Sequence, residues 1–371
     1  MQQYSAVAGA RPPPQRVRGI RLASSRDCET RTGSTVSRSQ PGGHLKIFVT
    51  GGSGFVGQAL IAHLSTRHDV VAMARSSESG EVVAAAGAQP VLCSLEDVDY
   101  EQIDGCDAVI HCAALATEWS PRGDYQRVNV AGTARMLAAS TAARVRRFVH
   151  VSTDSVLFTG RDVVNADEST PLPRRIPYGY GASKAAAETM VLMDNDPPRG
   201  FETMVVRPVL VWGPGDQTFL AELVDLASRN AFVWVGGGQA LVSTTHVENL
   251  VHGLALALDR GRGREVYHIT DDDPQHARTF FTRYAATAGV VLPDRSVPAP
   301  LARAAARFVE ATWSIVRPGR RPPITRFGAD SLASTITFDV SKARRELGYV
   351  PVVTVEEGLD ALTARVRPRE D

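Results

Sequence analysis

The run Ile47-Phe48-Val49-Thr50-Gly51-Gly52-Ser53-Gly54-Phe55-Val56-Gly57 constrains this chain more than any other, because an apolar strand passes through a glycine-rich turn straight into an amphipathic helix. Gly51 permits the tight turn, Gly54 lets backbone approach a pyrophosphate, and Gly57 lets the helix close on the strand. The free amides of the first helical turn, reinforced by the helix dipole, then face phosphate charge. The spacing is Gly-x-x-Gly-x-x-Gly rather than the commoner Gly-x-Gly-x-x-Gly, so its context matters. Lys46 to Thr50 reads as a strand covered on both faces, and Val56, Ala59, Leu60 and Leu64 share one helical face. The competing reading is a structural glycine turn in an unrelated α/β protein.

At 371 residues the chain can bury a full core. A net charge of +1 supplies no electrostatic reason to expect nucleic acid or an anionic membrane as partner. Cys28, Cys93, Cys106 and Cys112 form no Cys-x-x-Cys pair, so reduced, cytoplasmic thiols are expected, and no metal site. No apolar run reaches the roughly 18 residues of a transmembrane helix. Residues 1–43 carry seven arginines, Pro12-Pro13-Pro14 and no apolar signal core, and are expected to be a disordered extension. Among 41 Lys and Arg, only Lys46, Lys184 and Lys342 are lysines, which suggests that these sites require a compact ammonium.

Val70 to Ala74 reads as a second strand. It ends in Arg75-Ser76-Ser77, where a dinucleotide fold meets the adenosine ribose; a cation and two hydroxyls suit a 2′-phosphate, so NADP(H) is favoured over NAD(H). Strands at Pro90–Cys93 and Ala108–His111 lead to Ser94-Leu95 and to Ala113-Ala114. Ser120-Pro121 signals the start of a helix over Asp124–Ala142 that contains Asn129. The strand Arg147–Val151 delivers Ser152-Thr153 to a carboxyl strand end, the edge where open α/β sheets bind ligands. Tyr180 and Lys184 open the next helix four residues apart and share a face. The ammonium is expected to draw the phenol down from its ordinary pKa of about 10, with Thr153 orienting the substrate oxygen. A chance Tyr-x-x-x-Lys pair on a solvated helix is the bland alternative. Leu301, Ala305, Phe308, Val309, Thr312 and Ile315 form one stripe on a later helix, read as core or lid ahead of a membrane contact.

Taken together, Thr50-Gly51-x-x-Gly54-x-x-Gly57, His111-Cys112-Ala113-Ala114, Asn129, Ser152-Thr153, Tyr180-x-x-x-Lys184, Arg207-Pro208 with Gly213-Pro214-Gly215, and His246-Val247-Glu248-Asn249 resemble the extended short-chain dehydrogenase/reductase family. The resemblance covers nearly all of Leu45 to Leu362. Within that family the chain is most similar to the branch of 3β-hydroxysteroid dehydrogenases and dihydroflavonol reductases. The resemblance implies an α/β fold, with a Rossmann-type doubly wound parallel sheet and a smaller, discontinuous C-terminal substrate lobe. The expected division is a cofactor-binding core over 44–211, rejoined by 242–270, and a lobe over 212–241 and 271–371.

By carry-over, Thr153, Tyr180 and Lys184 would be catalytic. Gly51, Ser53, Gly54, Phe55, Val56, Gly57, Arg75, Ser94, Leu95, Ala113, Ala114, Asn129, Tyr180, Lys184, Pro208, Val209 and Val211 would line the cofactor site. Ser94 stands where an acid is frequent, Thr153 where serine is common (with Ser152 as a substitute), and Trp212 where tyrosine is frequent. The activity implied is hydride transfer between NAD(P) and a secondary alcohol or ketone on a hydrophobic alicyclic substrate. Alternatives are a nucleotide-sugar epimerase or dehydratase and a non-catalytic NADP-sensing regulator. A homodimer is implied as well.

Overall fold

A computed structural model describes residues 43–317 and 320–366; the extension expected at the N-terminus lies, but for its last residue, outside the described residues. Seven parallel strands form the central sheet: β1 (Lys46–Thr50), β2 (Asp69–Ala74), β3 (Gln89–Leu92), β4 (Ala108–His111), β5 (Arg147–Val151), β6 (Glu202–Pro208) and β7 (Val266–Ile269). Their spatial order is β7-β6-β5-β4-β1-β2-β3. The chain therefore reverses its direction of travel across the sheet between β1 and β4, and such a reversal opens a crevice at the carboxyl edge.

Alternate residues explain why both faces are covered. Ile47 and Val49 of β1 pack with Leu60, Leu64, Leu250 and Leu254, whereas Phe48 packs on the other face with Val109, Met136, Phe148 and Val205. The first set comes from helices α1 (Phe55–Leu64) and Val247–Arg260, and Met136 comes from a long helix over 122–142. That helix begins at Arg122, two residues ahead of the sequence expectation. Pro121 flanks it rather than opening it, and Ser120 bonds the Asp124 carboxylate at 3.3 Å instead of capping backbone. Its middle, Gln126–Ala131, widens into π geometry and buries Asn129.

A four-stranded mixed sheet runs Gln275–His276, Leu241–Val242, Ile336–Phe338, Val163–Ala166. A separate aromatic core gathers Trp212, Phe232, Trp234, Phe280, Phe281 and Tyr284.

The helix Gly179–Met193 is fastened to the sheet by buried charge. Glu188 is fully buried, and its carboxylate accepts from Arg207 Nε at 3.0 Å, from a second guanidinium nitrogen of the same arginine, and from the Ser152 hydroxyl at 2.8 Å. One side chain thus ties this helix to β6 and to the end of β5. A buried pair need not add net stability, but removing one partner strands the other without compensation. Glu188→Ala is expected to cost about 3–5 kcal/mol, read as a lowered denaturation midpoint; a loss under about 1 kcal/mol, the range of an exposed pair, would contradict this role.

Candidate active site

The residues singled out in the sequence follow the carboxyl ends of successive strands: Gly51–Gly57 after β1, Arg75 after β2, Ser94 and Leu95 after β3, Ala113 and Ala114 after β4, Thr153 after β5, and Val209 and Val211 after β6, which ends at Pro208. With the sheet parallel throughout, they share one edge.

At the glycine turn, Gly51 has φ +70°, and an added Cβ there would lie 2.9 Å from the Ala113 amide nitrogen. A Cβ on Gly57 would lie 2.1 Å from the Gly51 carbonyl oxygen, so α1 can close on the turn only without a side chain. The start of α1 carries no side-chain cap and no acid in its first turn. Uncapped amides behind an exposed Gly54 fit a bound phosphate charge.

A hydrogen-bond chain sets the floor of the groove. The Ala113 amide donates to Thr50 Oγ1 (3.0 Å), which bonds His111 Nδ1 (2.7 Å); His111 Nε2 bonds Thr133 Oγ1 (3.0 Å), which donates to the Asn129 carbonyl (2.7 Å). Since the Thr133 proton is committed to Asn129, His111 is protonated on Nε2 and accepts on Nδ1. Burial pulls His111 down to about 3, so it stays neutral. The Asn129 side chain is also fully engaged, accepting from the Leu115 amide (2.7 Å) and donating to Ser183 Oγ (2.9 Å) and the Leu115 carbonyl (3.3 Å). Asn129 therefore positions the strand end and the Tyr180 helix rather than reaching into the groove.

The other cofactor-side residues divide clearly. Arg75 is exposed and has no ion pair among the described residues, whereas Ser76 is committed to capping the helix Ser77–Ala85. Ser94 is held through its amide and hydroxyl by Asp97 (2.5 and 2.7 Å), so an acid does stand near β3, three residues late and turned onto the loop. Leu95 is buried against Gly132, and Val209 is buried with its amide on Thr245 Oγ1 at 3.0 Å.

Tyr180 enters between two glycines, and a Cβ on Gly181 would lie 2.4 Å from the Ser155 carbonyl. This close approach brings the phenol to the loop after β5, beside Thr153. Its electrostatics differ from the sequence expectation. The oxygen is enclosed although the residue is only partly covered; burial pushes the phenol up, Asp154 pushes it further, and Thr153 partly offsets them. Lys184 does not draw it down. Its ammonium donates instead to the Val151 carbonyl at 2.7 Å and bonds His150 Nε2 at 3.0 Å. Burial lowers Lys184 to about 8, against a raising contribution from Glu188, and pulls His150 well below its ordinary value.

Thr153 and Ser152 are also more committed than expected. Thr153 donates its proton to the Asp154 carboxylate at 2.9 Å and accepts from the Ser155 amide at 3.2 Å. Ser152 is spent on Glu188 and is no substitute for it. Burial raises Asp154 to about 6. Asp154, Ser183, Glu188 and Arg207 were not singled out as site residues in the sequence. Two signals were available: Glu188 repeats the four-residue spacing of Tyr180 and Lys184, and Arg207 interrupts an apolar strand and so demands a counter-charge.

With this geometry in view, comparisons with known proteins agree on a family. The chain matches the model of the 3-beta hydroxysteroid dehydrogenase/isomerase family over residues 48–298. It is 44% identical to a 4-hydroxy-2-methyl-3-oxo-4-farnesyl-3,4-dihydroquinoline-1-oxide ketoreductase of Stigmatella aurantiaca, across 86% of this chain and 96% of that one. It is 33% identical to a decarboxylating sterol-4-alpha-carboxylate 3-dehydrogenase of Dictyostelium discoideum, across 85% and 99%. The fold also matches a dTDP-glucose 4,6-dehydratase, DesIV, of Streptomyces venezuelae, with a TM-score of 0.67, 22% identity and coverage of 87% and 97%. The chain belongs to the 3-beta hydroxysteroid dehydrogenase/isomerase family, within the extended short-chain dehydrogenases/reductases that act on hydroxyl and keto groups.

Proposed function

We propose that this enzyme reduces a ketone, or oxidises the corresponding secondary alcohol, on a hydrophobic ring system with NADP(H), and that Tyr180 moves the proton. One observation carries the reading: a phenol held in its neutral form by burial stands beside a threonine hydroxyl at the sheet edge that also carries an uncapped glycine turn. The two relatives above are named for a farnesylated dihydroquinoline oxide and a sterol carboxylate, which supports a bulky apolar substrate. A nucleotide-sugar reading draws only on resemblance of fold.

Gly51, Ser53, Gly54, Phe55, Val56 and Gly57 would hold the pyrophosphate and Arg75 the 2′-phosphate. Ser94, Leu95, Ala113 and Ala114 would line the adenosine side, with Pro208, Val209 and Val211 on the nicotinamide side. The bound dinucleotide supplies the hydride. In the reductive direction, Tyr180 gives its proton to the carbonyl oxygen, a task that suits a phenol protonated at neutral pH. Thr153, its own proton held by Asp154, stands beside the phenol and limits where it can lie. The Lys184 ammonium, fixed by Val151 and His150, would supply positive charge to the cofactor and substrate side of the groove while it stays protonated. Free thiols at Cys93, Cys106 and Cys112 suit a cytoplasmic setting, and a homodimer is the assembly that the family resemblance implies.

Tyr180→Phe should lower turnover by about 10²–10⁴-fold with dinucleotide affinity retained in a fluorescence titration; an active variant would remove the assignment. Lys184 is charged below about 8 and neutral above it. Reductive kcat should therefore decline as pH rises through that value, with the inflection absent in Lys184→Met; a wild-type profile level from about pH 7 to 9.5 would contradict it. Arg75→Glu should raise the KM for NADPH by roughly tenfold or more, as loss of a charged phosphate contact predicts, while sparing NADH. An equal effect on both cofactors would assign the 2′-phosphate elsewhere.

A further inference from the structure

The helix Ala299–Val316 leaves much of its apolar surface uncovered. Its apolar stripe, expected to be core or lid, faces solvent: Leu301 is 60%, Phe308 71% and Ile315 81% exposed, and Ala306 is the helix's one buried residue. Arg303 and Glu310 face the body of the protein, beside Ala306, Val309 and Trp313. Arg303 Nε donates to Asp330 at 3.1 Å and its Nη2 to Ser334 at 2.9 Å, while Glu310 accepts from the Arg326 amide at 2.9 Å. Leaving Leu301, Phe308, Ile315 and Val316 outside while Arg303 and Glu310 turn inward runs against the usual amphipathic arrangement, and marks a surface that meets something apolar.

The charges around the stripe select the partner. The net charge of +1 averages over residues 299–326, which hold six arginines and Glu310; Arg303, Arg321 and Arg326 are paired with Asp330, with Glu118 and Glu222, and with Glu310, which leaves Arg307, Arg317 and Arg320 for the rim. Glu310 is turned inward, so the outward face carries no carboxylate. Arg307, Arg317 and Arg320 are exposed without an ion pair among the described residues, and Arg317 lies over the Trp313 ring at 5.3 Å. Two copies of this face would bring like-charged rims together, whereas an anionic bilayer satisfies both the stripe and the rim. No helix among the described residues is long and apolar enough to cross a membrane, so the contact is interfacial.

We propose that the helix Ala299–Val316 and its arginine rim dock this enzyme on the surface of an anionic phospholipid bilayer. The docked helix is wired to the catalytic one, since Asp330, held by Arg303, accepts from the Tyr178 hydroxyl at 2.7 Å, two residues before Tyr180. The docking surface stands on its own geometry, independent of the reaction assigned above.

The test is co-sedimentation of the full chain with vesicles of phosphatidylcholine containing phosphatidylglycerol, and with vesicles of phosphatidylcholine alone. Wild type is expected to bind the anionic vesicles selectively. Phe308→Ser/Ile315→Ser should weaken that binding roughly tenfold or more, the order expected for two large apolar side chains. Arg307→Glu/Arg317→Glu should weaken it as well. Both pairs lie on the surface and should keep the wild-type thermal midpoint. Undiminished binding by both double variants would overturn the proposal, the basic N-terminal stretch then being the attachment. Absence of vesicle binding would overturn it too, and a dimer abolished by Phe308→Ser/Ile315→Ser would assign the face to a second copy instead.

Discussion

The ion pair between Glu188 and Arg207 is the constraint on which the rest of the site depends. Glu188 hangs from the catalytic helix, Arg207 from β6, and Ser152 from the end of β5, so one carboxylate joins three elements that converge on the same edge. In a dry interior such a pair has few alternative arrangements. The helix face that carries Glu188 also carries Lys184 and Tyr180, so fixing the first sets the position of the other two. Gly181 then lets the helix approach the Ser155 carbonyl closely enough to bring the phenol beside Thr153.

Burial has two opposite effects at this edge. It keeps His111 and His150 neutral and so turns them into fixed hydrogen-bonding struts. It also holds the Tyr180 proton on its oxygen while bringing Lys184 close to neutrality. Catalytic potential here comes from an acid that retains its proton until charge develops beside it, rather than from a phenol already ionised by its lysine. Asp154 extends the same logic, since its carboxylate fixes the direction of the Thr153 proton.

Much of this was legible in the sequence because it follows from steric rules. The strand, turn and helix from Lys46 to Leu64 announce themselves through glycine spacing and apolar periodicity, and the helix Gly179–Met193 through its opening residues and length. The rest depends on partners distant in the chain. Nothing local tells that the Lys184 ammonium would turn to Val151 and His150, or that Ser152 would be consumed by Glu188. The strand Val163–Ala166 was likewise unseen, because its partner lies at Ile336–Phe338. The helix Ala299–Val316 misled for a different reason: periodicity reports an apolar stripe but not which way it faces, and the inward side was decided by Asp330, Ser334 and Arg326.

The most direct measurement of the central claim is the fate of a labelled hydride. NADPH deuterated at the transferable position is incubated with the enzyme and a cyclic ketone such as a 3-ketosteroid, and the products are weighed by mass spectrometry. The expected result is an alcohol carrying one deuterium on its carbinol carbon, with one dinucleotide oxidised for each alcohol formed. Unlabelled product with the dinucleotide pool unchanged would contradict net hydride transfer and point to a reaction that returns the hydride to the molecule it came from.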